Sequence, residues 1–217
     1  MSNKSFGRRV ARKLSTSQKK VLSSHLTQFS INHNIEKIDN RYKEIYLEIG
    51  SGMGENIAQQ ARKNPNNLYI AVEVYKNGVA NLLKLILQLG LTNIKIWPDD
   101  INIILNTIPD YYVDVIYLLF PDPWLKKRHN KRRIINDKNI STLYKILSKK
   151  GKIIFSSDIK EYVLNSEKIF NRQNFEIIKK DENSPYENYI PTKYHIKAKS
   201  EKRSCYFLEC NKISNIS

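Results

Sequence analysis

Short apolar runs alternate with amphipathic stretches along most of this 217-residue chain. Almost wholly apolar runs of this length are typical of buried parallel strands, and they occur at 45–49, 68–72, 93–97, 113–120 and 152–156. Stretches with apolar residues at helical spacing follow them, at about 55–62, 76–89, 101 onward, 137–148 and 161–171. Two further strand candidates, 175–179 and 204–209, come last and are separated by a loop. The pattern predicts a doubly wound α/β fold with a mostly parallel, seven-stranded sheet that ends in an antiparallel hairpin.

The length suits one domain of this kind, which we expect to occupy residues 41–217. Residues 1–40 are expected to add a basic N-terminal arm and a short helix over 16–29. The first twenty residues contain seven lysines and arginines and no acidic residue, so they cannot form a core of their own. They are either a solvated tail or an arm that becomes ordered on a polyanion.

The formal net charge of +16 predicts a polyanionic partner, either a nucleic acid or an acidic membrane surface. No run of about 18 apolar residues and no apolar signal core is present, so we expect a cytoplasmic protein without a membrane segment. Cys205 and Cys210 lack metal or redox spacing and are expected to be packing thiols. The four histidines form no metal-binding pattern, so no metal site is predicted.

The first strand leads into a glycine-rich turn in which Glu48 is followed by Gly50, Gly52 and Gly54. Such a turn between strand and helix lets a ligand approach the main chain, where a Cβ atom would collide with it. The third glycine comes one residue too early for a dinucleotide fingerprint, and a carboxylate before the turn would repel a pyrophosphate. The carboxylate suits a cation instead. S-adenosylmethionine is such a cation, and this segment resembles the first motif of class I methyltransferases.

Carboxylates also follow the next two strands. Glu73 lies at the end of the second strand, where an acid is placed to bind the two ribose hydroxyls of a nucleoside. Asp99 and Asp100 follow the third strand, and we favour Asp100 as a contact to the adenine amine because it begins the next helix. The alternative for Asp100 is an ordinary helix N-cap.

A stiff, basic segment follows the fourth strand. Pro121 and Pro123 restrict the backbone on both sides of Asp122, and Trp124 comes next. Six of the eight residues at 126–133 are lysine or arginine. Such a run could be a solvated loop, but its junction with the proline-flanked carboxylate favours a surface that grips phosphates, with Trp124 stacking on a base.

The run from Phe120 to Arg133 resembles the signature of the bacterial tRNA (guanine-N7)-methyltransferase family. The basic start at Ser5–Arg9 is similar to that family's N-terminus, and the resemblance extends to about Lys197. It implies the transfer of a methyl group from S-adenosylmethionine to N7 of the guanosine at position 46 of the tRNA variable loop. Cofactor contacts are implied for Glu48, Gly50, Gly52, Gly54, Glu73, Asp100 and Asp122.

The same resemblance implies a catalytic, base-orienting role for Asp122 and a set of tRNA contacts. These contacts are Lys126, Arg128, His129, Asn130, Lys131, Arg132, Arg133, Asp158, Thr192, Lys193, Tyr194 and His195. The family has a glutamate where this chain has His195, so the role of this residue does not follow from the resemblance. We expect a monomer or a homodimer.

Two other functions remain open from the sequence. An amino-group methyltransferase acting on adenine N6 or cytosine N4 also places a proline-rich acidic tetrapeptide after the fourth strand. A non-enzymatic RNA-binding module would explain the charge, but it would leave Glu48, Glu73 and Asp100 at three successive strand ends without a purpose.

Overall fold

The computed structural model describes residues 13–31, 42–183, 185–186 and 188–214. The basic stretch at 1–12 that was predicted as an arm lies outside the described residues. The chain divides into two compact units, Met1–Pro109 and Asp110–Ser217. The predicted division into residues 1–40 and 41–217 stays a prediction.

The described residues of the first unit form four α-helices, three strands and a 3-10 helix at Leu105–Thr107. They follow the chain as α1 (Thr16–Phe29), β1 (Ile45–Ile49), α2 (Glu55–Lys63), β2 (Leu68–Val72), α3 (Lys76–Leu89), β3 (Ile94–Trp97) and α4 (Ile101–Ile104). The three strands are parallel, and β2 lies between β1 and β3. Their carboxyl ends therefore lie along one edge, which is where ligands bind in sheets of this kind.

Helix α1 is part of the core of this unit. It begins with a capping box, in which Ser15 accepts a hydrogen bond from the Gln18 backbone N–H and the Gln18 side chain accepts one from the Ser15 N–H. Val21 and Phe29 are buried in the same apolar cluster as the inner face of α3. The predicted helix over 16–29 is confirmed, because local capping and the apolar stripe favour the same element.

In the second unit, the residues that the structure describes form four strands and three α-helices. They are β4 (Val113–Leu119), α5 (Asp137–Ile146), β5 (Leu147–Ser157), α6 (Lys160–Arg172), β6 (Phe175–Glu182), α7 (Lys193–Ser200) and β7 (Tyr206–Lys212), with a 3-10 helix at Lys127–Arg132 between β4 and α5. The strand order in this unit is β4-β5-β7-β6, in which β4 and β5 are parallel and β7 is antiparallel to both of its neighbours. The predicted seven-stranded, mostly parallel sheet with a terminal antiparallel hairpin is confirmed.

Several predicted elements have other bounds in the structure: β6 ends at Glu182 rather than at residue 179, and β7 covers Tyr206–Lys212 rather than 204–209. The fifth strand begins at Leu147 rather than at residue 152, and the preceding helix ends at Ile146 rather than at residue 148. Pairing of Leu147 with Val113 extends the strand through a polar stretch that has no strand pattern of its own. The link between β6 and β7 was predicted as a loop but contains α7, which begins after the N-cap Thr192.

A buried lysine from β7 caps the end of α5. The Lys212 ammonium group donates hydrogen bonds of 2.7 Å to the carbonyl oxygens of Tyr144 and Leu147. It also lies 4.4 Å from the ring centres of Tyr111 and Tyr144. Burial lowers the pKa of Lys212, while the nearby Asp110 raises it. The lysine thus satisfies helix-end carbonyls that have no partner within the helix.

Within the described ranges, no helix is both long enough and apolar enough to cross a bilayer. Those residues also contain no group of three or more histidine, cysteine or acidic side chains that could hold a metal ion. Both cysteines are free and buried, as predicted for packing thiols.

Candidate active site

The glycine turn of the first unit requires glycine at three positions. Gly50, Gly52 and Gly54 all have positive φ angles, of 77°, 58° and 78°. A Cβ atom built on Gly50 or Gly52 would meet nothing within 4 Å, whereas one on Gly54 would lie 2.8 Å from Leu82 Cβ. Gly54 therefore packs the turn against α3, and the space beside Gly50 and Gly52 is open to a ligand.

Glu73 at the end of β2 holds this turn in place. One of its carboxylate oxygens accepts a hydrogen bond of 2.6 Å from the Gly52 N–H, and the other accepts one of 2.8 Å from the Tyr75 N–H. Gly78 supports the turn from α3, because a Cβ there would collide with the Gly52 carbonyl oxygen. Glu73 thus shapes the backbone of the turn, and the predicted ribose contact would be a second task for the same carboxylate.

Glu48 at the end of β1 is a buried carboxyl group whose charged neighbours are acids. It is only 3% exposed, and it accepts a hydrogen bond of 2.9 Å from the Asn56 side-chain amide. Burial raises the pKa of Glu48 to about 8; the bond from Asn56 opposes this shift, and the charges of Glu73 and Glu55 add to it. Desolvation dominates because an ionised carboxylate loses its hydration when it is buried.

Two more buried acceptors lie near Glu48, one in the glycine turn and one in the first turn of α2. Asn56 Oδ1 and Ser51 Oγ are buried and have no hydrogen-bond partner within the part of the chain that the structure describes. Buried polar atoms without partners are rare in folded proteins, and each one calls for a ligand or a water molecule. The set of Glu48, Asn56 and Ser51 is rich in acceptors and suits a ligand that brings hydrogen-bond donors and positive charge.

Asp100 is the N-cap of α4 and is almost completely buried. Its carboxylate accepts hydrogen bonds of 2.9 Å from both the backbone N–H and the side-chain amide of Asn102, and its carbonyl oxygen accepts one from the Trp97 indole. The alternative that the sequence left open, a helix N-cap, is therefore observed. The contact to an adenine amine stays a prediction.

The loop after β4 begins and ends with strained residues. Phe120 and Trp124 both have positive φ angles, of 49° and 43°, which are uncommon for bulky side chains. Asp122 lies between them and is exposed. Backbone strain of this kind concentrates at functional sites, where the surrounding structure must hold it in place.

The basic segment that follows has an exposed side and an inner side. Lys126, Arg128, Asn130 and Lys131 are exposed. The Arg132 guanidinium lies 5.0 Å from the centre of the Trp124 ring, and His129 packs edge-on against the same ring at 5.7 Å. Partial burial lowers the pKa of His129, and the cations Arg132, Arg128 and Lys126 lower it further. Trp124, predicted to stack on a base, is thus engaged by two side chains of its own segment.

Arg133, which was predicted to contact tRNA, turns inward in the structure. It is only 5% exposed, its Nε donates a hydrogen bond of 2.7 Å to the Pro123 carbonyl oxygen, and its guanidinium lies 4.8 Å from the centre of the Tyr162 ring. A side chain held in this way turns away from solvent, and its contact with tRNA stays a prediction. A dense run of cations carries no local signal for which of them turns inward.

The predicted contacts near α7 also separate into two groups. Thr192 caps the helix by accepting a hydrogen bond from the His195 N–H, and Lys193 and Tyr194 are exposed. His195 is only 5% exposed and stacks on Phe120, with ring centres 5.8 Å apart. Its two ring nitrogens have no hydrogen-bond partner among the described residues. Burial lowers the pKa of His195, and so does Lys199, so the imidazole is kept neutral.

Asp158 follows β5 and forms an ion pair with Arg203. Arg203 also pairs with Glu201 at a distance of 2.7 Å. The prediction of Asp158 as a tRNA contact did not anticipate this partner, because Arg203 is distant in sequence and lies in no motif. Asn56 and Tyr162 were missed for a similar reason, since an asparagine in a first helical turn and an aromatic on a helix are common residues.

The fold is that of the class I methyltransferases. A solved structure of an antibiotic-related methyltransferase has the same fold: it is 18% identical, covers 92% of this chain and 96% of its own, and gives a TM-score of 0.58. A family model described as "Putative methyltransferase" matches residues 42–208.

The sequence comparisons identify the family. A tRNA (guanine-N(7)-)-methyltransferase of Wolbachia pipientis is 34% identical over 212 residues, which are 98% of this chain and 93% of the relative. A bifunctional methyltransferase of Rickettsia conorii is 42% identical over 208 residues, which are 95% of this chain but 39% of the relative. This chain thus spans about two fifths of the length of the Rickettsia relatives that it matches. The chain belongs to the tRNA (guanine-N(7)-)-methyltransferase family.

Proposed function

We propose that this protein transfers a methyl group from S-adenosylmethionine to N7 of a guanine in tRNA. The observation that carries the proposal is the loop after β4. Its exposed carboxylate, Asp122, is followed within nine residues by the exposed cations Lys126, Arg128 and Lys131. The name of the Wolbachia relative, a tRNA (guanine-N(7)-)-methyltransferase, supports the same reaction and substrate. The guanosine at position 46 and a cytoplasmic location are the finer parts of the proposal.

The residues of the first unit fit S-adenosylmethionine. The space beside Gly50 and Gly52 admits a ligand to the main chain, and the buried acceptors Glu48 and Asn56 Oδ1 suit an ammonium group. When bound, the cofactor supplies a methyl group on a positively charged sulfur, which makes this group electrophilic. Glu73, through the Gly52 N–H, keeps the turn in the shape that receives the ligand.

On the substrate side the chain must orient a base and needs no general base. Guanine N7 carries a lone pair in the ring plane and has no proton to lose. Asp122 can accept hydrogen bonds from guanine N1–H and the N2 amino group, which fixes the orientation of the base and offsets the positive charge that develops on the ring. The exposed lysines and arginine of the same segment bind phosphates, and this contribution weakens as salt is added.

The amino-group methyltransferase is the weaker alternative. An exocyclic amine needs an acceptor for the proton that it loses, whereas N7 does not. Three relatives that match this chain over most of their own length are named tRNA (guanine-N(7)-)-methyltransferases. Their names favour methylation of the ring nitrogen N7 over methylation of an amino group. The two reactions give methylated nucleosides that chromatography and mass spectrometry separate.

The test is methylation of unmodified tRNA transcripts in vitro, followed by nucleoside mass spectrometry. We expect 7-methylguanosine in the wild-type product, and its position follows from chemical cleavage at the methylated base. Asp122→Asn should lower kcat by about tenfold or more, the scale of one charged hydrogen bond in a closed site. Asp137→Asn, a change at an exposed carboxylate paired with Arg172, is the matched control and should keep wild-type kcat. N6-methyladenosine or N4-methylcytidine in the product, or full activity in Asp122→Asn, would contradict the proposal.

A further inference from the structure

Arg133 joins four parts of the second unit. Its side chain donates to the Pro123 carbonyl oxygen and lies over the Tyr162 ring on α6. Its backbone N–H donates to the Asn130 carbonyl oxygen in the 3-10 helix, at 3.0 Å. Its own carbonyl oxygen accepts a hydrogen bond of 2.8 Å from Asn136, which is the N-cap of α5. One residue therefore connects the loop after β4 with three helices.

The loop that contains Asp122 has few hydrogen bonds of its own. Pro121 and Pro123 have no N–H group, so two of its backbone donors are missing. Its start is fixed where the Phe120 N–H donates to the Ser156 carbonyl oxygen at 2.8 Å. Further along, the hydrogen bond from Arg133 to the Pro123 carbonyl oxygen restrains the main chain directly after Asp122. The strained φ angles at Phe120 and Trp124 require such restraints.

An arginine is suited to this position for chemical reasons. Its planar group can donate from Nε along one edge while its face lies on an aromatic ring, and it stays charged at every relevant pH. A lysine has one donor centre at the end of a flexible chain, so it cannot make both contacts in the same geometry. Burial raises the pKa of Tyr162; the charge of Arg133 opposes this shift and the charge of Asp122 adds to it.

From these contacts we infer that Arg133 is a positioning residue for Asp122: it holds the Pro123 carbonyl against α6 and thereby fixes the carboxylate that orients the base. The inference rests on the proposed function and assigns Arg133 a task other than phosphate binding. The basic segment then has two parts. The exposed Lys126, Arg128 and Lys131 attract the RNA, and the buried Arg133 preserves the shape of the loop.

Steady-state kinetics with tRNA transcripts at several salt concentrations separate the two tasks. Arg133→Lys and Arg133→Met should both lower kcat by about tenfold to a hundredfold, the scale of a small misplacement of a reacting group. Their affinity for tRNA and its salt dependence should remain as in the wild type. Lys131→Met is the contrasting variant, and its slope of log affinity against log salt should become less steep by about one unit. Arg172→Met, at an exposed arginine of α6, is the matched control and should change neither quantity.

Hydrogen exchange measured by mass spectrometry tests the same inference without any substrate. In Arg133→Lys, amides at 120–135 should exchange at least about tenfold faster, while peptides from β5 and β6 exchange as in the wild type. Unchanged exchange at 120–135, unchanged kcat, or a shallower salt slope in either Arg133 variant would overturn the inference. If Arg133→Met does not fold, Arg133→Lys decides the question. A wild type that does not methylate guanine N7 would refute the proposed function, and the exchange rates would still show whether Arg133 orders the loop.

Discussion

The protonation state of Glu48 gives the sharpest quantitative prediction for the cofactor half of this protein. The carboxyl group is almost fully buried, it receives one hydrogen bond from Asn56, and its charged neighbours are the acids Glu73 and Glu55. With a pKa of about 8, the free protein carries a proton on Glu48 in about nine of ten molecules at pH 7. A cationic ligand needs the ionised form, so its binding must expel this proton.

The size of the pH effect on cofactor binding follows from the pKa of Glu48. Below pH 7, each pH unit should change the affinity for S-adenosylmethionine about tenfold, or about 1.4 kcal/mol, with tighter binding at higher pH. At pH 6.5 the α-amino group of the ligand is still protonated, so binding should release about one proton in total. Glu48→Gln has no proton to release and should bind more weakly, with little pH dependence between pH 6 and pH 8.

The assay is calorimetric titration with S-adenosylmethionine at pH 6.5 in buffers of different ionisation enthalpy, because the slope of heat against that enthalpy counts the protons. Glu55→Gln is the matched control, and we expect it to release protons as the wild type does. If the wild type releases no proton, or if Glu48→Gln releases as many as the wild type, then the carboxyl group is ionised before binding and the reasoning is wrong.

Protein stability provides an independent check on Glu48. Its folded pKa of about 8 lies above its ordinary value of 4.5, so between these two pH values the folded chain holds more protons than the unfolded chain. The contribution of protonated Glu48 to the stability of the fold is complete below pH 4.5 and is lost as the pH rises through 8. The wild type should therefore lose about 1.4 kcal/mol of unfolding free energy per pH unit across this window because of Glu48. Glu48→Gln lacks this loss, so its stability relative to the wild type should rise by the same amount. Chemical denaturation at pH 5 and pH 8 measures the difference.

Three further predictions concern the turn and the core. Gly54→Ala should lower the unfolding free energy by more than Gly90→Ala, because both positions have positive φ but only a Cβ at Gly54 meets Leu82. The backbone strain alone costs about 1–2 kcal/mol at either position. Equal losses for the two variants in chemical denaturation would show that the Cβ at Gly54 does not clash with Leu82. Lys212→Met should cost about 1–3 kcal/mol, because two carbonyl oxygens at the end of α5 lose their donor; an unchanged thermal midpoint would show that water replaces it. Glu73→Ala should weaken S-adenosylmethionine binding by about 1–3 kcal/mol and speed amide exchange in the glycine turn; normal affinity by calorimetry would remove Glu73 from the site.

Local sequence features determined the order of the elements and the position of the cofactor turn. The apolar runs predicted β1 to β5, since a strand buried on both faces needs an apolar residue at nearly every position. The two further strand candidates at the end of the chain predicted β6 and β7. The turn at Gly50–Gly54 follows from a backbone that only glycine adopts readily. Glu48, Glu73 and Asp100 could be placed at one edge because parallel strands end on the same side of a sheet.

The tertiary structure decided what each of these side chains does. Arg133 and Lys131 belong to one run of cations, yet one lies under the loop and the other faces solvent. His195 belongs to the same motif as the exposed Tyr194, but it packs among aromatic rings contributed by residues up to 75 positions away, such as Phe120. The pKa of Glu48 likewise depends on how completely the surrounding structure excludes water. Burial and partners arise from contacts between distant segments, so a local pattern specifies which residues are available but not which of them are enclosed.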